Sequence, residues 1–474
     1  MAHWLRDRGY EAYAVEGGLH ALLGVVPADE APVETLPIAE PRERPRGPLS
    51  ALRHPRFRGY SLGVLLSLTG SWVEAAAFGY VVLQLGASEA TLGLIGFLNT
   101  IPNLVFALPA GALADRYDRR KLLFAFQFLN MGVAAALAVL WATGELTVVV
   151  MGALAVAGGS LGTLSFPAFQ GMLAATVPQD DLESAVAINS LSLQLARCIG
   201  PAIAGFILAS AGPTWVFGVN AASFLAVLAT VALMPASRGL AGAAGKLGGA
   251  IGEGVRYVLG QRSIASLIAL MVLAGLFATP PVAFMLPAIV RENLDAGAMT
   301  LGLLTACIGL GSVLGSIALL WLSGRANKGE PALVGYFLTA LALAGVGLSG
   351  SIPLSFVLGL LGGFCGVVFI GLSTVAVQAM SSDAMRARAM AVWAAAFVGM
   401  LPAGGLITAG LTAAFGPGGA VFVDGVATLV GGLVVLALRP EVAWLGCAAL
   451  PESCIAATSP VAVFEEEQEL AARA

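Results

Sequence analysis

Charged residues are scarce in this chain of 474 residues. They make up 11% of it, whereas apolar residues make up 58% and the mean hydropathy is +0.89. Soluble globular proteins carry about 25% charged residues, so the composition excludes a water-soluble enzyme. Lys and Arg number 24 against 28 Asp and Glu, which leaves no basic excess to meet nucleic-acid phosphates. We therefore expect a membrane protein and no nucleic-acid partner.

Histidine and cysteine are also rare, and their positions argue against a metal or a cofactor. The three histidines, His3, His20 and His54, all precede the first long apolar stretch. Three of the five cysteines lie inside apolar runs, where Cys acts as a small hydrophobic residue. The other two, Cys447 and Cys454, match no metal or redox spacing. We expect no metal site and no cofactor.

Long apolar stretches are what the chain does have. A helix needs about 20 mostly apolar residues to cross a bilayer, and twelve such stretches lie between Ser50 and Pro440. We predict an all-α membrane protein with twelve transmembrane helices in two six-helix halves. The predicted spans are 60–85, 91–113, 122–142, 146–168, 184–211, 214–234, 264–289, 299–322, 331–350, 353–378, 387–414 and 418–438.

Positive charge is distributed unevenly around these stretches. The side that holds both ends of the span-containing region and the even-numbered connections carries sixteen Lys and Arg, whereas the other side carries only Arg291. Cytoplasmic loops carry an excess of Lys and Arg. We therefore predict a multi-pass protein of the cell (inner or plasma) membrane, embedded in its lipid bilayer, with both termini cytoplasmic.

The longest internal connection, residues 235–263, divides the chain into six spans plus six. It begins with small residues and ends in AIGEGVRYVLGQRSIASL, a pattern that predicts an amphipathic helix on the cytoplasmic face. We place the N-terminal six-helix half at 48–234 and the C-terminal six-helix half at 264–440.

The two halves look like a weak repeat. Gly212-Pro213 stands before the sixth span and Gly416-Pro417 before the twelfth, an offset of 204 residues. The same offset carries Asn220 onto Asp424 and Gly111 onto Gly315. Sparse matches of this kind gain weight from the six-plus-six count.

The sharpest local motif is GALADRYDRRK, Gly111–Lys121, between the second and third spans. Gly111 has no side chain, so a neighbouring helix can approach, and Asp115 can face the positive end of a helix dipole. The motif resembles the signature loop of the major facilitator superfamily, whose fold has two parallel six-helix halves. The resemblance implies a gating loop that does not touch substrate; the alternative is a plain topology anchor. Its residues are Gly111, Asp115, Arg116, Arg119, Arg120 and Lys121.

Further segments resemble the drug and siderophore exporter branch of this superfamily, which includes enterobactin exporters and macrolide efflux proteins. Among them are NSLSLQLARCIGPAIAG in the fifth span and MLPAIVRENLDAGAMTLGLLTACIGLGSVLGS across the seventh and eighth. The resemblance covers about residues 50–440. It implies a monomeric secondary transporter that exports a small amphipathic compound (drug, macrolide or siderophore) by proton antiport with alternating access.

Ionisable residues inside membrane spans are costly and point to function. Glu74 and Arg197 lie at matching depth in the first and fifth spans, so we predict that they form an intramembrane pair. The pair is either purely structural or a coupling site at which Glu74 binds a proton. Asp424 lies closer to the outer side of the twelfth span, and we expect it to be hydrated or structurally paired.

Polar residues within the spans provide candidates for the lining of a substrate cavity, although each could instead form a hydrogen bond between helices. These candidates are Asn99, Asn103, Asn189, Gln194 and Gln378.

The two ends of the chain are different in character. Residues 1–47 start with a segment similar to the last part of a rhodanese domain, followed by a polar linker; no cysteine precedes Cys198, so it cannot transfer sulfur. A start assigned too late or a fusion remnant would explain this segment. Residues 441–474 end in FEEEQELAARA and predict a disordered acidic tail.

Three rival functions remain open at this point. One is transport of a lipid or of a sulfur-containing small molecule, for which the rhodanese-like segment is the only indication. Another is a membrane-tethered sulfurtransferase fusion whose catalytic part is missing from this sequence. The last is a non-transporting receptor, against which the intact GALADRYDRRK loop argues because a receptor needs no gating latch.

Overall fold

A computed structural model provides the structure of the chain. It describes residues 14–15, 33–34, 49–234, 247–322, 327–382 and 385–444. The chain divides into two compact units, Met1–Ser50 and Ala51–Ala474. In the first, the two-residue strands Ala14–Val15 and Val33–Glu34 pair antiparallel. The rest of the rhodanese-like segment and residues 445–474 of the predicted tail lie outside the described residues.

The second unit begins with six long helices, each of which has the length and composition to cross a membrane. Single side chains define where some of them start: Asp118 accepts a hydrogen bond from the Arg120 backbone N–H before the third helix, and Thr147 accepts one from the Val150 N–H before the fourth. Spans 1 to 6 are Pro55–Gln84, Glu89–Arg116, Arg119–Thr143, Val148–Ala174, Leu182–Ser210 and Pro213–Ala232, with short 3-10 turns at Ser50–Arg53 and Gln179–Asp181.

The remaining helices start with a central-loop helix and continue with the second set of spans. Span 7, Arg262–Asn293, contains three π-helical turns, and its prolines 280, 281 and 287 remove backbone donors from the regular helical ladder. The elements are the central-loop helix Leu247–Gly260, span 7 (α-helical at Arg262–Leu273 and Leu286–Ala288; π-helical at Ala274–Ala278, Pro281–Met285 and Ile289–Asn293), span 8 Ala298–Leu322, span 9 Gly329–Leu348, span 10 Ile352–Met380, the helices Arg386–Val398 and Leu401–Leu438, and a 3-10 turn at Pro440–Trp444.

The last long apolar stretch, which runs through the helices Arg386–Val398 and Leu401–Leu438, contains two membrane crossings. Arg388–Leu438 has 51 residues, or about 76 Å at 1.5 Å per residue, against a hydrocarbon core of about 30 Å. Gly416 interrupts it with non-helical backbone angles, φ 72° and ψ 173°. Span 11 is therefore 386–415 and span 12 is 417–438. The described residues thus contain the twelve spans that the sequence predicts.

Several helices extend beyond their predicted boundaries. Span 1 begins at Pro55, not residue 60, and span 4 continues to Ala174, not residue 168. Apolar composition marks only the hydrocarbon core, whereas the bilayer with its headgroups is about 40–45 Å thick. The 30 residues of span 1 cover that full thickness.

The repeat predicted from Gly212 and Gly416 has a structural basis. Gly212 has φ 86° and ψ 179°, close to the angles of Gly416, and each glycine stands directly before a proline that starts a span. Backbone of this kind is almost restricted to glycine. The packing repeats as well. Span 1 packs on spans 5 and 6, and span 7 packs on spans 11 and 12. Span 2 packs on span 4 as span 8 packs on span 10, and span 3 packs on span 6 as span 9 packs on span 12.

The two halves meet through spans 5 and 8 and through spans 2 and 11, where glycines let the backbones approach. A Cβ at Gly205 would lie 2.9 Å from the Gly302 Cα, and one at Gly93 would lie 2.5 Å from the Gly405 carbonyl oxygen. Replacing any of these glycines would push the halves apart.

The contacts between halves are concentrated on one side of the membrane. We call the side that holds the start of span 1 and the even-numbered connections the basic face. The close contacts just described lie toward the opposite face, and those nearest the basic face, Gln194 with Ser316 and Leu104 with Gly399, lie near mid-membrane. Over the described residues, the interface is therefore closed at the opposite face and open toward the basic face.

The central-loop helix docks on the second half. Glu253 Oε2 lies 2.6 Å from Arg388 Nη1 at the start of span 11, and Val258 is buried in the core of the second half. The Ser382 backbone N–H donates to the Tyr257 hydroxyl at 3.1 Å and lowers the pKa of Tyr257. These contacts fix the helix to spans 10 and 11.

Replacement of Gly416 by alanine should destabilise the protein by about 1–3 kcal/mol, because a Cβ is strained at this φ and ψ. Gly410→Ala is the matched control, since Gly410 is helical and a Cβ there meets nothing within 4 Å. Unfolding of the purified variants in detergent measures both effects. Equal stability of the two variants would contradict the strained turn.

Candidate functional site

The predicted pair of Glu74 and Arg197 is not formed in this structure. Glu74 Oε2 accepts a hydrogen bond from Asn220 Nδ2 in span 6 at 2.6 Å. The Arg197 guanidinium carbon lies 5.6 Å from the centre of the Trp72 ring in span 1. The two charges therefore have different partners, although their depth matches.

The helical positions on span 1 explain this correction. Trp72 and Glu74 are two residues apart and point about 200° apart around the helix. Gly70 and Glu74 share the side that packs on span 6, where Asn220 and Ser223 lie. Trp72 is on the side that packs on Gly200 of span 5. Matching depth alone could not distinguish these two sides.

Arg197 lies at mid-membrane where three spans meet. It is 15 residues into span 5, or about 22 Å along the helix. Its carbonyl oxygen packs against Gly309 of span 8, and its side chain reaches Trp72 of span 1. One turn closer to the basic face, Gln194 Nε2 donates to Ser316 Oγ of span 8 at 3.2 Å. The guanidinium is thus next to the interface between the halves.

The GALADRYDRRK motif forms the end of span 2 and the start of span 3. Arg119 Nε donates to the Ala114 carbonyl at 3.2 Å, and Arg120 Nη2 donates to the Ala232 carbonyl at the end of span 6 at 2.7 Å. A cation at a helix C-terminus stabilises the helix dipole and its free carbonyls. These two arginines therefore connect spans 2, 3 and 6 within the first half.

The other residues of the motif are placed less tightly. Arg116 and Lys121 are exposed, and Arg116 lies over the Tyr117 ring at 5.9 Å. Asp115 belongs to the last turn of span 2, and its side chain lies outside the described residues. The close helix approach expected at Gly111 is absent among the described residues, because a Cβ there meets nothing within 4 Å.

Two of the candidate cavity-lining residues hold helices together within the first half. Asn99 Nδ2 donates to the Ala155 carbonyl of span 4 at 3.3 Å, and Asn103 Oδ1 accepts from Thr163 Oγ1 of span 4 at 2.7 Å. The structure thus gives both amides the alternative role of a hydrogen bond between helices.

The other candidates have three different settings. Gln194 bridges the halves through Ser316, as described. Asn189, half-buried in span 5, has no hydrogen-bond partner for its side chain among the described residues. Gln378 is exposed near the basic-face end of span 10, and only its carbonyl is engaged, by Arg386 Nε at 3.0 Å. Gln378 therefore lies away from mid-membrane.

Asp424 is completely buried, so the expectation of a hydrated residue is wrong and that of a structural pair is correct. Its Oδ2 accepts from Thr408 Oγ1 of span 11 at 2.8 Å, and its Oδ1 has no partner among the described residues. Asn220, its repeat mate, holds Glu74. No sequence pattern marks Asn220 and Thr408 as hydrogen-bond partners of the two acids, although the 204-residue offset relates Asn220 to Asp424.

The described residues contain no group of three or more His, Cys, Asp and Glu side chains that could hold a metal ion. A cavity of about 460 Å³ lies elsewhere, between the basic-face ends of spans 8 and 9 and the middle of span 10, and Asn327, Glu330 and Phe364 are part of its lining. None of the predicted site residues lines this cavity.

Solved transporters share this fold. A bacterial homologue of the human lysosomal transporter Spinster, in an inward-facing and unoccupied conformation, matches with a TM-score of 0.61 and 15% identity, over 83% of this chain and 96% of that one. A D-xylose–proton symporter matches with a TM-score of 0.63 and 16% identity, over 81% and 98%. Likeness at this identity shows the fold, and the match to a sequence family places the chain among the major facilitator transporters.

Within that class, the chain belongs to the transmembrane secretion effector family, whose sequence model matches residues 46–448. The enterobactin exporter EntS of Escherichia coli O81 (strain ED1a) is 26% identical over 408 residues, which cover 83% of this chain and 94% of the exporter. The same exporter from strain E24377A matches to the same extent. The protein is thus a secondary transporter of small molecules, related to transporters and not to enzymes.

Asn220→Leu should destabilise the protein by about 1–3 kcal/mol, because it leaves the Glu74 carboxyl without its donor. The same change in a Glu74→Leu background should cost less, since no carboxyl remains to be satisfied. Unfolding of the four proteins in detergent forms a double-mutant cycle. Strictly additive effects would mean that the hydrogen bond contributes nothing to stability.

Gly111→Leu should hold the interface open toward the basic face. Gly93 and Gly111 are 18 residues, or five turns, apart, so Gly111 continues the face of span 2 that packs on span 11. Closure at the basic face would bring span 11 against the new side chain. In Gly111→Leu, the distance between spin labels at the basic-face ends of spans 4 and 10 should have a single, long value.

Gly132→Leu is the matched control, because Gly132 is exposed on span 3 and a Cβ there also meets nothing within 4 Å. This control should show the same distance distribution as the unsubstituted protein. If Gly111→Leu populated a short distance to the same extent as the control, the proposed contact of span 11 with Gly111 in the closed state would be contradicted.

Proposed function

We propose that this protein exports small amphipathic compounds (a drug, a macrolide or a siderophore) by proton antiport with alternating access. The observation that carries the proposal is the 26% identity to an enterobactin exporter over 94% of that exporter's length. The relative is an exporter by name, and the family model, which matches residues 46–448, extends through all twelve spans. The family description, transmembrane secretion effector, supports the same direction of transport.

The charge distribution supports an orientation with the basic face in the cytoplasm. Among the described residues, thirteen Lys and Arg lie on that face or in the helix turns next to it, against Arg291 alone on the other face. Such an excess marks the cytoplasmic side of membrane proteins. In this orientation both ends of the transporter unit are cytoplasmic, and the interface is open to the compartment from which an exporter loads substrate.

Glu74 is the coupling residue in this proposal, now without Arg197 as its counter-ion. Its carboxyl lies within span 1 and has a neutral donor, Asn220, as its partner. An amide donor remains compatible with both the charged and the protonated carboxyl, whereas low dielectric favours the neutral form. A change in water access between the two conformations can therefore load and release a proton at this side chain.

The gating loop has a mechanical role in this scheme. Arg119 and Arg120 attach the loop to spans 2 and 6, so the basic-face end of the first half moves as one body. The exposed residues Arg116 and Lys121 are then available for acidic partners on the second half when the basic face closes. Asp115 remains part of the proposed gating loop because it belongs to the sequence motif.

The organisation proposed for the chain follows the repeat. Residues 48–234 and 264–440 form the two moving halves, residues 235–263 connect them, and one copy of the chain provides the complete substrate path. The central-loop helix travels with the second half, because it is docked on spans 10 and 11.

Everted membrane vesicles test this function. Addition of ethidium, erythromycin or enterobactin to vesicles that contain the protein should dissipate an imposed proton gradient for at least one compound. Glu74→Gln should abolish this proton movement and leave exchange of substrate across the membrane intact, because the neutral amide cannot carry a proton. Glu145→Gln, which removes an exposed carboxyl from the connection between spans 3 and 4, is the matched control.

Two results would contradict the proposal separately. No response to any compound of the panel would overturn export of this substrate class. A full response in Glu74→Gln would leave export standing and overturn the role of Glu74 in coupling.

A further inference from the structure

Arg197 is a cation at mid-membrane without an anionic partner. Its guanidinium has no hydrogen-bond acceptor and no carboxylate within ion-pair distance among the described residues, and its one directed contact is the Trp72 ring. The two carboxyls deep within the described spans, Glu74 and Asp424, are engaged by Asn220 and Thr408. The described residues therefore leave this charge uncompensated.

An unpaired arginine inside a membrane is costly, and such residues face a cavity or a ligand. The contact with Trp72 offsets part of this cost, because the ring face attracts a cation. The N–H donors of the guanidinium stay free, because the Arg197 side chain makes no hydrogen bond among the described residues. A planar guanidinium with free donors matches a carboxylate, phenolate or phosphate oxygen pair.

Arg197 is accessible at the interface between the halves. The residue is only half-buried, and it lies where spans 1, 5 and 8 meet, one turn from the Gln194–Ser316 bridge between the halves. Beyond that bridge the interface is open toward the basic face. An anion that entered from that side would meet the Gln194–Ser316 bridge first and the guanidinium one turn further in.

We propose that Arg197 and Trp72 form the binding site for an organic anion with an aromatic ring. The guanidinium edge binds the charged oxygens of the ligand, and the ligand ring packs beside the indole. The inference deepens the proposed function by naming the substrate class, and it rests on that function only in taking this interface as the substrate path.

Equilibrium binding to the purified full-length protein in detergent tests the site. The probes are 2-naphthoate and 2-naphthamide, which have the same ring system and differ in charge. We expect 2-naphthoate to bind with a Kd about tenfold lower than that of 2-naphthamide, a difference that corresponds to about 1.4 kcal/mol. Arg197→Gln should remove this preference, whereas Arg197→Lys should keep most of it because the charge remains.

Matched variants separate binding from folding. Arg56→Gln removes an exposed charge from the first turn of span 1 and should leave the preference unchanged. Trp72→Phe should weaken both probes equally, since it alters the ring contact and not the charge. Monodispersity in gel filtration excludes misfolded variants, and Arg197→Lys carries the test if Arg197→Gln does not fold.

Three results would overturn the inference: equal affinity of the unsubstituted protein for both probes, no detectable binding of 2-naphthoate, or an unchanged preference in Arg197→Gln. The measurement uses no proton gradient and no vesicle. Binding of the anion with failed export would overturn the proposed export alone, and export without anion preference would overturn this site alone.

Discussion

Close approach of helix backbones across the interface between the halves is the constraint on which this transporter depends. Lipid provides no hydrophobic force between helices, so association relies on packing. Gly205 against Gly302 and Gly93 against Gly405 bring spans 5 and 8, and spans 2 and 11, into backbone contact. These contacts act as the joint of the molecule, because they hold the halves together at one face and leave the other face open.

The polar residues are arranged around this joint. Gln194 and Ser316 form the polar contact near the point where the interface opens, and Arg197 lies one turn beyond it toward the closed side. Glu74 lies on the far side of span 1, against span 6, so the acid is separated from the interface by the width of its own helix. In the proposed scheme, proton and substrate thus have different sites in the first half, and movement of span 1 affects both.

Apolar length, positive charge and turn chemistry made most of the fold predictable from sequence. The twelve spans, the central-loop helix and the equivalence of Gly212 with Gly416 follow from such patterns, which are local along the chain. The pairing of Glu74 was not predictable in the same way, because depth follows from sequence position whereas the rotational setting of a helix depends on its neighbours. The close approach expected at Gly111 is absent among the described residues, because this glycine lies on span 2 beyond the contacts that span 2 makes with span 11.

The uncompensated guanidinium of Arg197 also has an electrical consequence. Moving one elementary charge across the membrane changes the free energy by about 2.3 kcal/mol per 100 mV. When Glu74 is protonated, the interior of the first half carries one net positive charge, and when Glu74 is ionised it carries none. In the proposed exchange, the membrane voltage therefore acts on the protonated, substrate-free carrier, so Arg197 makes the return of that carrier depend on the electrical as well as the chemical part of the proton gradient.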